Sequence, residues 1–200
     1  ANKMSSDEED TGPKYQAGKK VSINELMQAD AEDESLRKYK ESLLGAASQD
    51  PESHPKDDPR RVVIKEVALL VEGRDPLVAK TGTPEELKAL VKNPFILKEG
   101  CRYKRKFTFK VQHDIVSGLN CVNTVEKMKF KKKDKAMIGS FGPQGKPYEM
   151  ILPKNDWEEA PEGRLLRGDY KVKTEFVDDD KVTHLAFDWM IRIVKEWGEK

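Results

Sequence analysis

The stretch "GSFGPQGKP", residues 139–147, comes nearest in this sequence to a set of residues that could bind a phosphate. A phosphate-binding loop has the spacing GxxxxGK followed by Ser or Thr, and it opens a helix. Here the interval from Gly139 to Gly145 is one residue too long, and Lys146 is followed by Pro147. Proline at that point would also stop the helix, so the sequence predicts a turn.

Side chains typical of nucleophilic or metal-assisted catalysis are not arranged in any recognisable pattern. The three histidines, His54, His113 and His184, are scattered, and none has a Ser or Cys nucleophile in a recognisable setting. The two cysteines, Cys101 and Cys121, belong to no CxxC motif and have no histidine at ligand spacing. We therefore expect a protein that is not an enzyme and that holds no metal and no cofactor.

Two charged runs suggest calcium and nucleic acid as ligands. A calcium ion takes about six to eight oxygen ligands, usually from several segments, so we interpret the single acidic run Asp178–Lys181 ("DDDK") as a solvated hairpin tip. Nucleic-acid binding favours aromatic residues among the basic ones, and the run Lys129–Lys135 ("KFKKKDK") has only Phe130. An edge strand protected by lysines explains this run better, with weak attraction to anionic lipid as a second interpretation.

The elements that would position any site divide the chain into an acidic arm and a basic body. Residues 1–59 hold 8 Lys and Arg against 14 Asp and Glu, and the remainder holds 29 against 22. Charged residues make up 36% of the chain, above the roughly 25% of a typical globular domain. No apolar run reaches the roughly 18 residues of a membrane span, and no signal peptide opens the sequence. We expect a cytoplasmic protein.

The arm, residues 1–59, has the pattern of two short helices and a linker. Ser22 and Glu25 form a capping-box pattern at the start of a helix over about 22–29. A second helix is predicted over about 34–44, with Leu36, Tyr39 and Leu43 on one face. Residues 46–59 are a proline-containing linker, and residues 1–20 are expected to be disordered when free. These helices have too few apolar residues to fold alone, so they need a partner.

The body, residues 60–200, alternates apolar and polar residues as strands do. Val63, Val67, Leu69 and Val71 are expected on one face of the first strand. A capped helix is predicted from Thr83 to Val91. Further strands are predicted at 103–111, 121–130, 136–141, 148–152, 170–177 and 185–197. Short strands separated by turn signals predict an all-β fold, an antiparallel β-sandwich.

Several segments, in order and with only small gaps between them, resemble the Rho GDP-dissociation inhibitors. They are residues 22–45, "FILKEGCRYK" (95–104), "DIVSGL" (114–119), "GSFGP" (139–143), "EEAPEG" (158–163), "RGDY" (167–170) and "DDDKVTHLAFDW" (178–189). The resemblance implies an immunoglobulin-like sandwich that shelters an isoprenoid between its sheets. It also implies a flexible N-terminal arm that folds into helices on the switch regions of the GTPase.

Family position implies the residues of each site. The prenyl pocket would be formed by Leu69, Phe95, Tyr103, Ile115, Leu165, Val172, Trp189 and Ile191, with Phe187 where the family commonly has tryptophan. The switch region would be contacted by Tyr15, Asp33, Ser35, Tyr39, Asp179 and Asp180. The basic tail that precedes the lipid would be received by Glu158 and Glu159.

The resemblance further implies the partners. They are prenylated Rho-family GTPases, mainly in the GDP form, bound one to one by a monomer. We expect no nucleic acid and only indirect membrane contact. Two other interpretations remain. One is a general carrier of lipidated cargo, which would not need residues 22–45. The other is a calcium-dependent membrane module.

Overall fold

A computed structural model describes residues 54–198 and, before them, residues 34, 35, 38 and 42. The described part of the chain contains ten strands and one complete helix. They are β1 (Val62–Val71), β2 (Leu77–Lys80), α1 (Pro84–Lys92), β3 (Phe95–Lys98), β4 (Arg102–Val111), β5 (Val116–Lys127), β6 (Phe130–Phe141), β7 (Tyr148–Leu152), β8 (Glu158–Glu159), β9 (Gly168–Val177) and β10 (Thr183–Val194).

The strands form two sheets that pack face to face. The first sheet has the order β2-β1-β4-β7, with β8 also paired to β4, and the second has the order β3-β10-β9-β5-β6. The strand pairs are antiparallel except that of β3 with β10. Phe107 and Phe109 of β4 pack against Phe176 of β9 across the space between the sheets. The predicted all-β sandwich is confirmed.

The alternation predicted for β4 and β10 is observed, whereas that of β1 is interrupted. Phe107, Phe109 and Val111 are fully buried on the inner face of β4. In β1 the register shifts between Ile64 and Glu66, so Lys65 is an extra residue and the side chains change face beyond it. The inner face therefore carries Val62, Ile64, Val67, Leu69 and Val71. The prediction that Val63 lies on this face is therefore wrong.

The basic run lies on an edge strand, as the sequence predicts. β6 is the last strand of its sheet, and the side chains of residues 131–133 are exposed. The predicted strand over 121–130 is wrong at its end, because the chain turns at Met128 and Lys129. Met128 has a φ of 53°. This left-handed conformation is uncommon for methionine, so the sequence does not predict it.

The helix α1 begins as predicted and ends one residue later than expected. Glu86 N donates to Thr83 Oγ1 at 3.2 Å, and Thr83 N donates to Glu86 Oε2 at 3.1 Å, which completes the capping box. β2, β3 and β8 were not predicted, since strands of two to four residues are too short to show alternation. β10 ends at Val194 rather than at the expected residue 197.

Little of the arm is described. Glu34, Ser35, Lys38 and Ser42 are helical and exposed, and Lys38 Nζ lies 2.7 Å from Glu34 Oε1. They fall within the second predicted helix, whose bounds stay a prediction. The first predicted helix, and Tyr15, Asp33 and Tyr39, lie outside the described residues. No helix among the described residues is long and apolar enough to cross a bilayer.

Candidate functional site

An apolar cluster between the sheets, which is the hydrophobic core of the sandwich, contains six of the nine predicted pocket residues. The inner faces of β9 and β10 contribute most of it, because alternate residues of each strand point inward. Strand pairing places Ile191 beside Phe95 and Trp189 beside Val172. The six buried residues are Leu69, Phe95, Val172, Phe187, Trp189 and Ile191, and Tyr103 packs against them.

A groove leads from the surface to this cluster. It lies between β2, α1 and the start of β3 and has a volume of about 500 Å³, within the range of small-molecule sites. Its lining is mainly apolar and includes Leu77, Leu90 and Phe95. The Phe95 ring packs edge-on against Trp189, with 5.6 Å between ring centroids. Phe95 therefore separates the open groove from the buried cluster.

Leu165 and Ile115 do not belong to the buried cluster. Ile115 is half-buried immediately before β5, and its carbonyl accepts from Arg61 Nη2 at 3.2 Å. Leu165 is exposed in the loop between β8 and β9. Lys127, at the far end of the 12-residue β5, binds the carbonyl of Arg167 in that loop. At about 3.3 Å per residue, Leu165 and Ile115 lie at opposite ends of the sandwich.

A buried chain of hydrogen bonds fixes the indole of Trp189. Its Nε1 donates to Thr174 Oγ1 at 2.9 Å, and Thr174 Oγ1 donates to Asn123 Oδ1 at 2.6 Å. Asn123 Nδ2 lies 3.3 Å from the Cys121 sulfur. Burial raises the pKa of the Cys121 thiol to about 12, so the thiol stays protonated and unreactive. The sequence analysis missed Thr174 and Asn123, since neither forms a recognisable motif.

A buried arginine crosses between the sheets near the predicted tail-binding residues. Arg105 is 5% exposed on the inner face of β4, and it pairs with Asp134 of β6 at 3.1 Å and with Glu158 of β8. Burial lowers the pKa of Arg105, but the charges of Glu158 and Asp134 outweigh it and raise the pKa overall. The Glu158 carboxylate is thus already paired with the buried guanidinium of Arg105, whereas Glu159 is exposed. The inward position of Arg105 follows from the β4 alternation but was not recognised.

The acidic run is only partly a solvated tip. Asp178 is buried, and its Oδ1 accepts from Val182 N at 2.8 Å, while Oδ2 lies 2.8 Å from His184 Nε2. The expectation of solvation is therefore wrong for Asp178, whose carboxylate organises the turn. Asp179 and Asp180 are exposed beyond it. No His, Cys, Asp or Glu group among the described residues could hold a metal ion.

The predicted sites thus lie at separate places on the sandwich. Asp179 and Asp180 lie at the β9–β10 turn, which meets the start of β5 through a hydrogen bond from Asp179 N to Ser117 O. Glu158 and Glu159 pair with the start of β4, near the end that carries Leu165. Ser35 is exposed on the arm.

Comparison with known proteins identifies similar sequences over nearly the whole chain. A family model described as "RHO protein GDP dissociation inhibitor" matches residues 1–196. "Putative rho GDP-dissociation inhibitor 1" of Dictyostelium discoideum is 46% identical over 192 residues, which cover 96% of this chain and 95% of the relative. "Rho GDP-dissociation inhibitor" of Schizosaccharomyces pombe is 42% identical, with 95% and 92% covered. "Rho GDP-dissociation inhibitor 1" of Homo sapiens is 40% identical, with 96% and 91% covered.

Proposed function

The chain belongs to the Rho GDP-dissociation inhibitor family, whose members are regulators of Rho-family GTPases and not enzymes, and we propose that it extracts a prenylated GTPase from membranes. In this proposal it holds the GTPase one to one, in the GDP form, in the cytoplasm. The observation that carries the proposal is the apolar cluster around Trp189, reached by a groove that ends at Phe95.

The physics of extraction demands such a cluster. Each methylene buried in a bilayer contributes about 0.8 kcal/mol, so a prenyl chain gives up a free energy on the order of 10 kcal/mol on leaving it. A carrier must offer a comparably dry site. We assign this site to Leu69, Phe95, Tyr103, Val172, Phe187, Trp189 and Ile191, with exposed Leu165 at its rim. Ile115 makes no part of this cluster, and we leave it out of the proposed pocket.

The GTPase domain is assigned to the opposite end of the sandwich. Asp179 and Asp180 are exposed there, and we propose that they contact a basic residue of the switch region. The arm, residues 1–59, would cover the same region through Tyr15, Asp33, Ser35 and Tyr39. The basic tail would then run past Glu159 toward the lipid pocket, with Glu158 available only if Arg105 releases it.

Extraction from vesicles tests the proposal. Vesicles carrying a geranylgeranylated Rho GTPase bound to GDP are mixed with the chain, and the released GTPase and its nucleotide exchange rate are measured. We expect release of the GTPase and slowed GDP exchange. Leu165→Ser should reduce release without lowering stability, because Leu165 is exposed. Val91→Ser, which changes an exposed valine of α1 that does not line the groove, is the matched control.

Three outcomes would contradict the proposal. Failure to release the prenylated GTPase would exclude extraction, and unchanged exchange would exclude inhibition of GDP release. A farnesylated peptide bound as tightly as the whole GTPase would instead indicate a general carrier of lipidated cargo.

A further inference from the structure

Four large apolar side chains are exposed at the end of the sandwich that carries Leu165. Met128 is 96% and Phe130 59% exposed at the β5–β6 turn. Leu165 is 89% and Leu166 46% exposed in the β8–β9 loop. Single exposed apolar residues are ordinary, but a group of them marks an interaction surface.

The two segments that carry these residues are joined to each other. The Lys127 ammonium donates to the carbonyl of Arg167 and lies 4.5 Å from the centre of the Tyr170 ring. Tyr170 Oη donates to the carbonyl of Leu166 at 2.6 Å. The β5–β6 turn and the β8–β9 loop are therefore neighbours, and they form one surface.

Hydrogen bonds hold the β8–β9 loop in place, so its leucines stay exposed. Arg167 Nε and Nη2 donate to the two carboxylate oxygens of Glu99 at 2.9 and 2.7 Å. Gly163 N donates to Glu99 Oε2 at 2.9 Å, and Leu166 N donates to Gly163 O at 2.9 Å. The backbone on both sides of Leu165 is thus held in place while its side chain points away from the core.

Basic side chains surround the apolar ones. Lys129, Lys131, Lys132, Lys133 and Arg164 are exposed. Of these, only Lys131 has a carboxylate partner among the described residues, Glu126 at 2.6 Å. Asp134, the acidic residue of β6, is held by Arg105. Glu162 is an exposed acidic residue in the same loop as Arg164, but the basic residues outnumber the acidic ones, so the surface carries a net positive charge.

We propose that this surface, residues 128–133 with 164–166, binds directly to an anionic lipid bilayer. Exposed lysines are attracted to anionic headgroups, while methionine, leucine and phenylalanine side chains enter the boundary of the acyl chains. A single-stranded nucleic acid would call for stacking aromatics, and three of the four apolar residues are aliphatic. The contact replaces the indirect membrane association expected from the sequence. This direct membrane contact goes beyond the proposed function and does not depend on it.

Flotation with vesicles that contain no GTPase tests this proposal. The full chain is mixed with vesicles of equal parts phosphatidylserine and phosphatidylcholine, or of phosphatidylcholine alone. We expect binding to the anionic vesicles that weakens as ionic strength rises. Lys129→Gln with Lys132→Gln should weaken it about twenty-five-fold, from about fivefold for each lysine. Met128→Ser with Phe130→Ser should weaken it about tenfold or more.

Matched controls lie on the other edge of the sandwich. Val91→Ser and Lys88→Gln change exposed residues of α1 that do not line the groove, and they should leave binding unchanged. Equal binding to both kinds of vesicle, or an equal loss in the control variants, would overturn the proposal. Binding that depends on the lysines but not on Met128 and Phe130 would also overturn it, because it would indicate a general polyanion site. Since no GTPase is present, these outcomes are distinct from a failure of extraction.

Discussion

The carboxylate of Asp179 lies directly over Gly118, in space that a Cβ at Gly118 would occupy. Gly118 also has a φ of +57°, and Asp179 N donates to Ser117 O at 3.2 Å. The start of β5 therefore holds the β9–β10 turn in place and directs one of the two carboxylates proposed to contact the GTPase. Glycine is required at this position by both the backbone conformation and the neighbouring side chain.

Gly118→Ala is expected to disturb both stability and GTPase binding. The left-handed conformation costs a residue with a Cβ about 1–2 kcal/mol, and the new methyl group must push the Asp179 carboxylate aside. Gly73→Ala is the control, because Gly73 has a similar φ of +72° but no atoms near the added Cβ. Urea denaturation should show a loss in both variants, whereas GTPase affinity should fall only for Gly118→Ala. Equal affinities would mean that the position of Asp179 has no role in binding.

Thr174→Val should destabilise the sandwich, although valine has the same shape as threonine. The change removes the partner of both Trp189 Nε1 and Asn123 Oδ1. Two buried polar groups without partners cost about 2–4 kcal/mol together. The free energy of unfolding from urea denaturation measures the loss. Thr124→Val on neighbouring β5 is the control, because Thr124 is also buried but its hydroxyl bonds to no described residue, so the loss should be smaller than that of Thr174→Val. Similar losses in the two variants would refute a specific role for the Trp189 hydrogen bond.

The Glu99 carboxylate should make part of the free energy of unfolding depend on pH. The hydrogen bonds from Arg167, and then that from Gly163 N, lower the pKa of Glu99 from 4.5 to about 2. A lowered pKa in the folded state means that the stabilisation is present above pH 4.5 and is lost as the pH falls toward 2. The difference in unfolding free energy between the unchanged chain and Glu99→Gln should therefore shrink over this window. Glu162→Gln, an exposed change in the same loop, is the control. A difference that does not vary with pH would contradict the assignment.

Deletion of residues 1–45 should separate lipid binding from inhibition of nucleotide exchange. The core residues lie between Val62 and Ile193, so the truncated chain should fold and still bind a prenylated peptide weakly. It should no longer slow GDP release. Circular dichroism checks that the truncated chain folds, binding of a fluorescent prenylated peptide measures lipid binding, and a nucleotide-exchange assay measures inhibition.

A point substitution complements the deletion. Asp33→Ala should weaken GTPase binding without lowering the melting temperature, because we propose that the Asp33 side chain contacts only the partner. A truncated chain that inhibits as well as the full chain would refute the two-part mechanism, and a large thermal shift for Asp33→Ala would show a structural role.

The sequence by itself determined the features that depend on local pattern. The alternation of Phe107, Phe109 and Val111 predicted an inward face, and Thr83 with Glu86 predicted the start of α1. The family resemblance implies one site for Trp189, Val172 and Ile191, and all three lie in the hydrophobic core, whereas their joint role in binding stays a prediction. Alternation and capping are read within a few residues of one segment, because neighbouring side chains point in directions that the backbone fixes.

Only the tertiary structure decided the features that depend on a distant partner. The extra residue Lys65 is set by the pairing of β1 with β4. The ion pairs of Arg105 need β6 and β8, and the fit of Asp179 on Gly118 needs two separate turns. The same holds for the surface formed by Met128 and Leu165, which lie 37 positions apart in the printed sequence. These contacts form only when strands from distant parts of the chain are placed side by side, so no local pattern of residues specifies them.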